Sequence, residues 1–238
     1  MKLIIDIGNS ITKVAIFKGK EIVLFSKIKK FSLKNIQKFV ANKDISSSII
    51  SSVKNKDSEI FNVADFYNGI ILSKDVPIPI KNSYQTPNTL GCDRLAVVVG
   101  AFSLYPQKEI IVFDAGTCLT IDRISEKGEY IGGRISPGIN MRYKALNTFT
   151  NNLPLFKKEN TTPIIGKDTR SSIISGVQRG ILDEVNSIIL EFKSRNNDII
   201  FLITGGDCFF FEKELKNTIF AHPNLVLIGL NEILDFNE

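Results

Sequence analysis

Leu3-Ile4-Ile5-Asp6-Ile7-Gly8-Asn9-Ser10 and Ile111-Val112-Phe113-Asp114-Ala115-Gly116-Thr117 are two copies of one phrase, one in each half of the chain. Each is an apolar run, then Asp, any residue, Gly and a small polar residue. A second β-prone run follows each copy, Val14-Ala15-Ile16-Phe17 in the first and Leu119-Thr120-Ile121 in the second. That order predicts a strand, a tight turn and an antiparallel return strand. The Asp ends a buried strand beside a ring of backbone N–H groups. Amides and hydroxyls there suit phosphate oxygens, and the carboxylate suits a cation or its waters. A single Asp-x-Gly also occurs in plain hairpins. Two copies predict two similar domains facing each other across a nucleotide.

Outward from the first copy, residues 2–7, 11–18 and 21–28 read as consecutive strands, with Lys18-Gly19-Lys20 as a turn. A helix near 32–42, a strand at 48–53, a helix at 56–67 and a strand at 69–72 follow. Prolines 77, 79 and 87 break the next stretch, and Leu95 to Leu104 reads as a buried helix. The second half repeats the plan. Strand 109–114, hairpin 117–124 and a strand around 130–135 come first, then helices over 138–148 and 170–195. Strand 199–204, a helix near 209–217, a strand at Leu225-Val226-Leu227-Ile228 and a final helix from 229 complete it. This is an α/β chain of mixed sheets, with expected domains 1–107 and 108–238 and a linker near 104–108.

The 238 residues are 43% apolar and 23% charged, as in a globular enzyme. No apolar run approaches the roughly 18 residues of a membrane span, and Asp6 interrupts any signal-peptide core. The expected location is therefore the cytoplasm, with no membrane partner. Cys92, Cys118 and Cys208 are odd in number and widely spaced, which argues against a disulfide framework or a zinc site. His222 is the only histidine, so a catalytic triad or a histidine-rich metal site is not expected. The net charge of +5 owes much to the lysines of 27–38. Ile28, Phe31, Ile36 and Phe39 recur among them, the pattern of an amphipathic segment with a solvated face, and no nucleic-acid partner is expected.

Three glycine elements bear on chemistry. In Asp6-Ile7-Gly8-Asn9-Ser10-Ile11-Thr12-Lys13, Asn9 and Ser10 can donate to phosphate oxygens and Lys13 can neutralise their charge. Asp114-Ala115-Gly116-Thr117-Cys118-Leu119-Thr120-Ile121-Asp122 adds a carboxylate and hydroxyls. Leu202-Ile203-Thr204-Gly205-Gly206-Asp207 is a strand running into a paired-glycine turn, a candidate adenosine edge. No P-loop pattern occurs in the chain.

Two Asp-x-Gly hairpins plus a Thr-Gly-Gly turn resemble the superfamily of acetate and sugar kinases, heat-shock chaperone ATPases and actin. Within it the chain is similar to the type III pantothenate kinases. Pro87-Asn88-Thr89-Leu90-Gly91-Cys92-Asp93-Arg94, Gly132-Gly133-Arg134-Ile135-Ser136-Pro137-Gly138 and Asp168-Thr169 carry that likeness, in the family's order. The resemblance covers nearly the whole chain and implies two ribonuclease H-like, actin-like ATPase domains, each opening with three antiparallel strands. It implies ATP-dependent phosphorylation of pantothenate to 4'-phosphopantothenate, with Mg2+ accompanying ATP. Asp6, Ile7, Gly8, Asn9, Ser10, Ile11, Thr12, Lys13 and Thr117 are then expected to bind ATP, and Asp114 to hold a monovalent cation, K+ or NH4+. Tyr84, Gly91, Cys92, Asp93, Arg94 and Thr169 are expected to meet pantothenate, Thr169 close to the partner of a homodimer, and Asp93 to be the general base. Two roles stay open for Arg94, pairing with the substrate carboxylate or with the surroundings of Asp93.

Two other classes fit parts of the chain. A nucleotide-binding regulatory protein on the same fold has no need of a base beside the phosphates, which Asp93 would supply. A sugar or acetate kinase is disfavoured by the missing cysteine-zinc element of one sugar-kinase branch and by the short chain.

Overall fold

Both Asp-x-Gly phrases form hairpins. β1 (Lys2–Ile7) and β2 (Thr12–Lys18) flank the first, and β7 (Ile110–Ala115) and β8 (Cys118–Ile124) flank the second, with β3 (Glu21–Ile28), β4 (Ser47–Ser52), β5 (Gly69–Ile71) and β6 (Lys81–Asn82) between them in sequence. The computed structural model describes residues 1–9, 11–53, 58–215 and 219–238. Ser10, the expected start of the helix at 56–67 and the expected end of that at 209–217 lie outside the described residues. The chain divides into two units. The first comprises Met1–Gln107, Arg123–Gly132 and Asn224–Glu238, and the second Lys108–Asp122 and Gly133–Pro223.

In the first unit the sheet order is β3-β2-β1-β4-β5. β1 runs antiparallel to β2 and parallel to β4, and β2 runs antiparallel to β3. β1 is central, so Leu3, Ile4 and Ile5 are buried together and its pattern does not alternate. β3 is an edge strand whose residues alternate between exposed and half-buried. α1 (Leu33–Val40) starts where Ser32 accepts the N–H of Asn35 and buries Ile36 and Val40. Lys27, Lys29, Lys30, Lys34 and Lys38 are all exposed, the solvated face that the spacing predicts. With α2 (Ser58–Phe66), these elements enclose a core of Leu3, Ile5, Val14, Ile16, Ile36, Ile50, Ile60 and Val63.

One expectation fails here. Leu225-Val226-Leu227-Ile228 is no strand but the first turn of α8 (Leu225–Asn237). Four apolar residues do not distinguish a strand from a buried helix; packing decides. α8 buries Leu225, Leu227, Leu230 and Ile233 and lies against α3 (Cys92–Leu104). Where the two helices cross, a Cβ on Gly229 would stand 2.8 Å from the amide nitrogen of Gly100, and one on Gly100 would stand 2.9 Å from that of Gly229. Glycine on both helices lets their backbones touch.

The other sheet has the order β11-β10-β7-β8-β9-β6, with β9 (Glu129–Pro137), β10 (Ile200–Thr204) and β11 (Phe220–Ala221). β10 is parallel to β7 and to β11. In the second unit α4 (Ile139–Phe149), α6 (Gly180–Lys193) and α7 (Cys208–Leu215) pack a core that includes Ile111, Phe113, Tyr143, Ile181, Val185, Phe201 and Phe211. The helix expected over 170–195 is present as α5 (Thr169–Ile174) and α6, joined by a π-helical turn, Ser175–Arg179. Among the described residues no helix is long and apolar enough to cross a membrane.

Candidate active site

The sequence-predicted residues divide between the units. Residues 6–13, Tyr84 and 91–94 belong to the first, and Asp114, Thr117 and Thr169 to the second.

In the first unit Asp6 stands opposite Lys13 across the β1–β2 ladder, and Ile7 opposite Thr12. Directly opposed residues of an antiparallel pair are near neighbours, so carboxylate and ammonium share one end of the sheet. The turn closes where the Gly8 N–H donates to the Ile11 carbonyl at 3.2 Å, and the Val53 N–H donates to the Ile7 carbonyl at 3.1 Å. Thr12 is buried, while Asn9 and Ile11 face solvent. On the parallel neighbour β4, Ser51 is the register partner of Asp6. Its buried hydroxyl has no hydrogen-bond partner among the described residues.

The second unit repeats this arrangement. Asp114 on β7 has Thr204 on β10 as its register partner, again a buried hydroxyl without a hydrogen bond among the described residues. The Gly116 N–H donates to the Cys118 carbonyl at 2.9 Å, and the Gly138 N–H, at the start of α4, donates to the Thr117 carbonyl at 3.2 Å. Thr117 itself is exposed. The paired-glycine turn folds back onto the same place. Gly205 has φ +88°, and a Cβ on it would lie 2.5 Å from Asp114 Oδ1; only glycine leaves that space beside the carboxylate. The Asp207 N–H donates to the Ala115 carbonyl at 3.0 Å, and its carboxylate pairs with Lys158. A carboxylate, a buried hydroxyl and a cradle free of side-chain carbon suit a hard cation, which takes oxygen ligands.

The N-terminus of α3 holds the most distinctive phrase. Pro87–Thr89 make a 3-10 turn, buried Leu90 anchors it, and Gly91 caps the helix. Asp93 lies in the first helical turn, where its Oδ1 accepts the Arg94 N–H at 2.9 Å. The Arg94 guanidinium is buried beneath Tyr84, 5.9 Å from the ring centroid, and Tyr84 leans on Tyr130 at the same centroid distance, 5.9 Å. Arg94, Tyr84 and Asp93 are thus brought together. Cys92, half-exposed beside them, is in no disulfide.

Asp168 caps α5 by accepting the Ser171 N–H at 2.8 Å, and Ser171 returns the contact in a capping box. The Ser171 N–H, then its hydroxyl, hold the Asp168 carboxyl below the usual carboxylate value. Thr169 is the exposed first residue of the helix that follows. Tyr130, Lys158 and Gln178 carry no motif of their own. The strand expected around 130–135 includes Tyr130 but does not mark it as buried, and the partners of Lys158 and Gln178 lie too far along the chain for spacing to reveal.

The family model described as type III pantothenate kinase matches residues 2–191. A type III pantothenate kinase of Christiangramia forsetii is 43% identical over 100% of this chain and 99% of its own. Among solved structures, a conserved putative Baf family transcriptional activator from Campylobacter jejuni aligns with TM-score 0.64 at 23% identity, covering 99% of this chain and 98% of that one. A putative 2-dehydro-3-deoxygalactonokinase from Sinorhizobium meliloti aligns with TM-score 0.63 at 10% identity, over 100% and 99% of the two chains. These two likenesses concern the fold alone.

Proposed function

The chain belongs to the type III pantothenate kinase family, and from that premise we propose that it transfers the γ-phosphoryl group of ATP to the primary hydroxyl of pantothenate. The products are ADP and 4'-phosphopantothenate, and the reaction is the first step of coenzyme A synthesis. The observation that carries this reading is the Gly91–Arg94 element, which sets a carboxylate, a buried guanidinium and an aromatic ring side by side at the start of α3.

Phosphoryl transfer passes through a loose transition state, so positioning and charge neutralisation do most of the work. Residues 6–13 grip the phosphates, with Lys13 offsetting their charge and Asn9 donating from the turn, and Thr117 adds a hydroxyl. Mg2+ enters with ATP as part of the substrate. Asp114, in the cradle that Gly205 keeps open, would hold a monovalent cation, which would supply positive charge to the reaction when bound. Asp93 has one oxygen committed to the helix and accepts the hydroxyl proton of pantothenate with the other. Arg94 and Tyr84 hold the body of the substrate, and Thr169 adds a contact. The working enzyme is a homodimer in the cytoplasm.

Incubation of the protein with magnesium-ATP, pantothenate and potassium tests the reaction. The expected result is ADP release dependent on pantothenate, with a phosphorylated product whose mass gains one phosphoryl group. No ADP above background would overturn it.

A further inference from the structure

The chain between α4 and α5, residues 150–168, has no regular structure of its own, and segments longer than about 12–15 residues of that kind usually serve a function. It is nonetheless pinned along its length. Lys158 pairs with Asp207 and lies 5.6 Å from the centroid of the Phe210 ring. Arg170 donates twice to Glu159 Oε1, at 2.8 and 3.0 Å. The Ser175 hydroxyl donates to the Ile164 carbonyl at 2.8 Å.

The strongest pin is Gln178, fully buried in the π-helical turn. Its Oε1 accepts the Glu159 N–H at 2.7 Å and the Tyr143 hydroxyl at 3.0 Å. Its Nε2 donates to the Glu159 carbonyl at 3.1 Å and to Thr162 Oγ1 at 2.8 Å. Two donors and two acceptor sites are the full capacity of an amide side chain, and all are used. The π-helical turn is itself unusual. Such turns are rare and concentrate at functional sites, and this one carries two side chains, Ser175 and Gln178, that bind backbone groups of the strap. The strap then runs directly into Asp168 and Thr169.

We propose that Gln178 is a positioning residue for the acceptor substrate: by clasping both backbone groups of Glu159 it fixes the strap that presents Thr169. This rests on the reading of Thr169 as a pantothenate contact. Gln178 touches no substrate and acts through the strap. Losing it lets the strap move while the phosphate hairpins and Asp93 stay as they are, so the acceptor's KM changes and the ATP KM does not.

The test is a double-mutant cycle of Gln178→Ala and Thr169→Ala, with KM for pantothenate and for ATP measured separately and melting temperature recorded. Gln178→Ala is expected to raise the pantothenate KM about tenfold with kcat and the ATP KM within about twofold, the pattern of lost ground-state binding. The double variant is expected to be no worse than the worse single one, since contacts acting in series are not additive. Thr162→Val removes one partner of the amide, so it keeps the test open if Gln178→Ala does not fold; a smaller shift in the same direction is expected. An unchanged pantothenate KM in these variants despite a lowered melting temperature, or additive effects in the cycle, overturns the proposal. A silent Thr169→Ala in an active enzyme overturns it too and leaves the kinase reading standing. A wild-type protein inert toward pantothenate removes both.

Discussion

At the scale of single residues, Asp93 is asked to do one job. Asp93→Asn keeps its shape and its bond to the Arg94 N–H but cannot accept the proton, and loss of a general base costs about 10²–10⁴ in rate. We expect kcat to fall by that factor while both substrates still bind, read from initial rates and from calorimetric binding. Near-normal kcat would make Asp93 a positioning residue. Tyr143 gives a second residue-scale test. Burial, and then the charge of Glu159, push its hydroxyl up to about 12, above the ordinary tyrosine value near 10. The unfolded chain therefore loses this proton first, so the stabilisation is full below pH 10 and fades as pH rises toward 12. Urea unfolding should show wild type losing stability across that window more steeply than Tyr143→Phe. At neutral pH the same substitution should cost about 0.5–1.5 kcal/mol, because it deletes one buried hydrogen bond to Gln178. Parallel curves for the two proteins would refute the titration argument.

At the scale of elements, the α3–α8 crossing makes the clearest demand. Gly229→Ala places a methyl group against the backbone of α3, and overpacking of this kind costs about 1–3 kcal/mol. A lower urea midpoint with an unchanged slope is the expected result; an unchanged midpoint would mean that the helices shift freely. This crossing also shows where sequence reading stopped. The Asp-x-Gly hairpins and the strand at 21–28 were legible, because each rests on local spacing and turn chemistry, whereas the helix read from Leu95 starts three residues earlier, at Cys92. The run Leu225–Ile228 was not, because its helical state depends on Gly100, far away along the chain. The π-helical turn was illegible for another reason: a one-residue local widening inside a long apolar-patterned helix carries no sequence signature of its own. Asp6 and Asp114 were readable as a pair, whereas the placing of buried Ser51 beside Asp6 and of buried Thr204 beside Asp114 needed strand register.

At the scale of the whole molecule, two expectations concern assembly and ions. If the enzyme is a homodimer, it should sediment at twice the 26.6 kDa mass of one chain, and a fully active monomer at low concentration would refute this. If Asp114 holds a monovalent cation, exchanging potassium for sodium should lower turnover, and Asp114→Ala should abolish the difference; equal rates in both salts would count against it. The placement of Asn224–Glu238 in the first unit also sets an order of events during synthesis. The helix that carries Asp93 is made early, but the helix it packs against leaves the ribosome only after the second unit has been translated. At about 5–20 residues per second, that is a wait on the order of ten seconds. Throughout it the apolar side of the Asp93 helix lacks its cover, so nascent chains are expected to depend on chaperones until the last turn is released. A message cut short before Asn224 would yield a chain that contains every proposed site residue and still lacks a properly supported base.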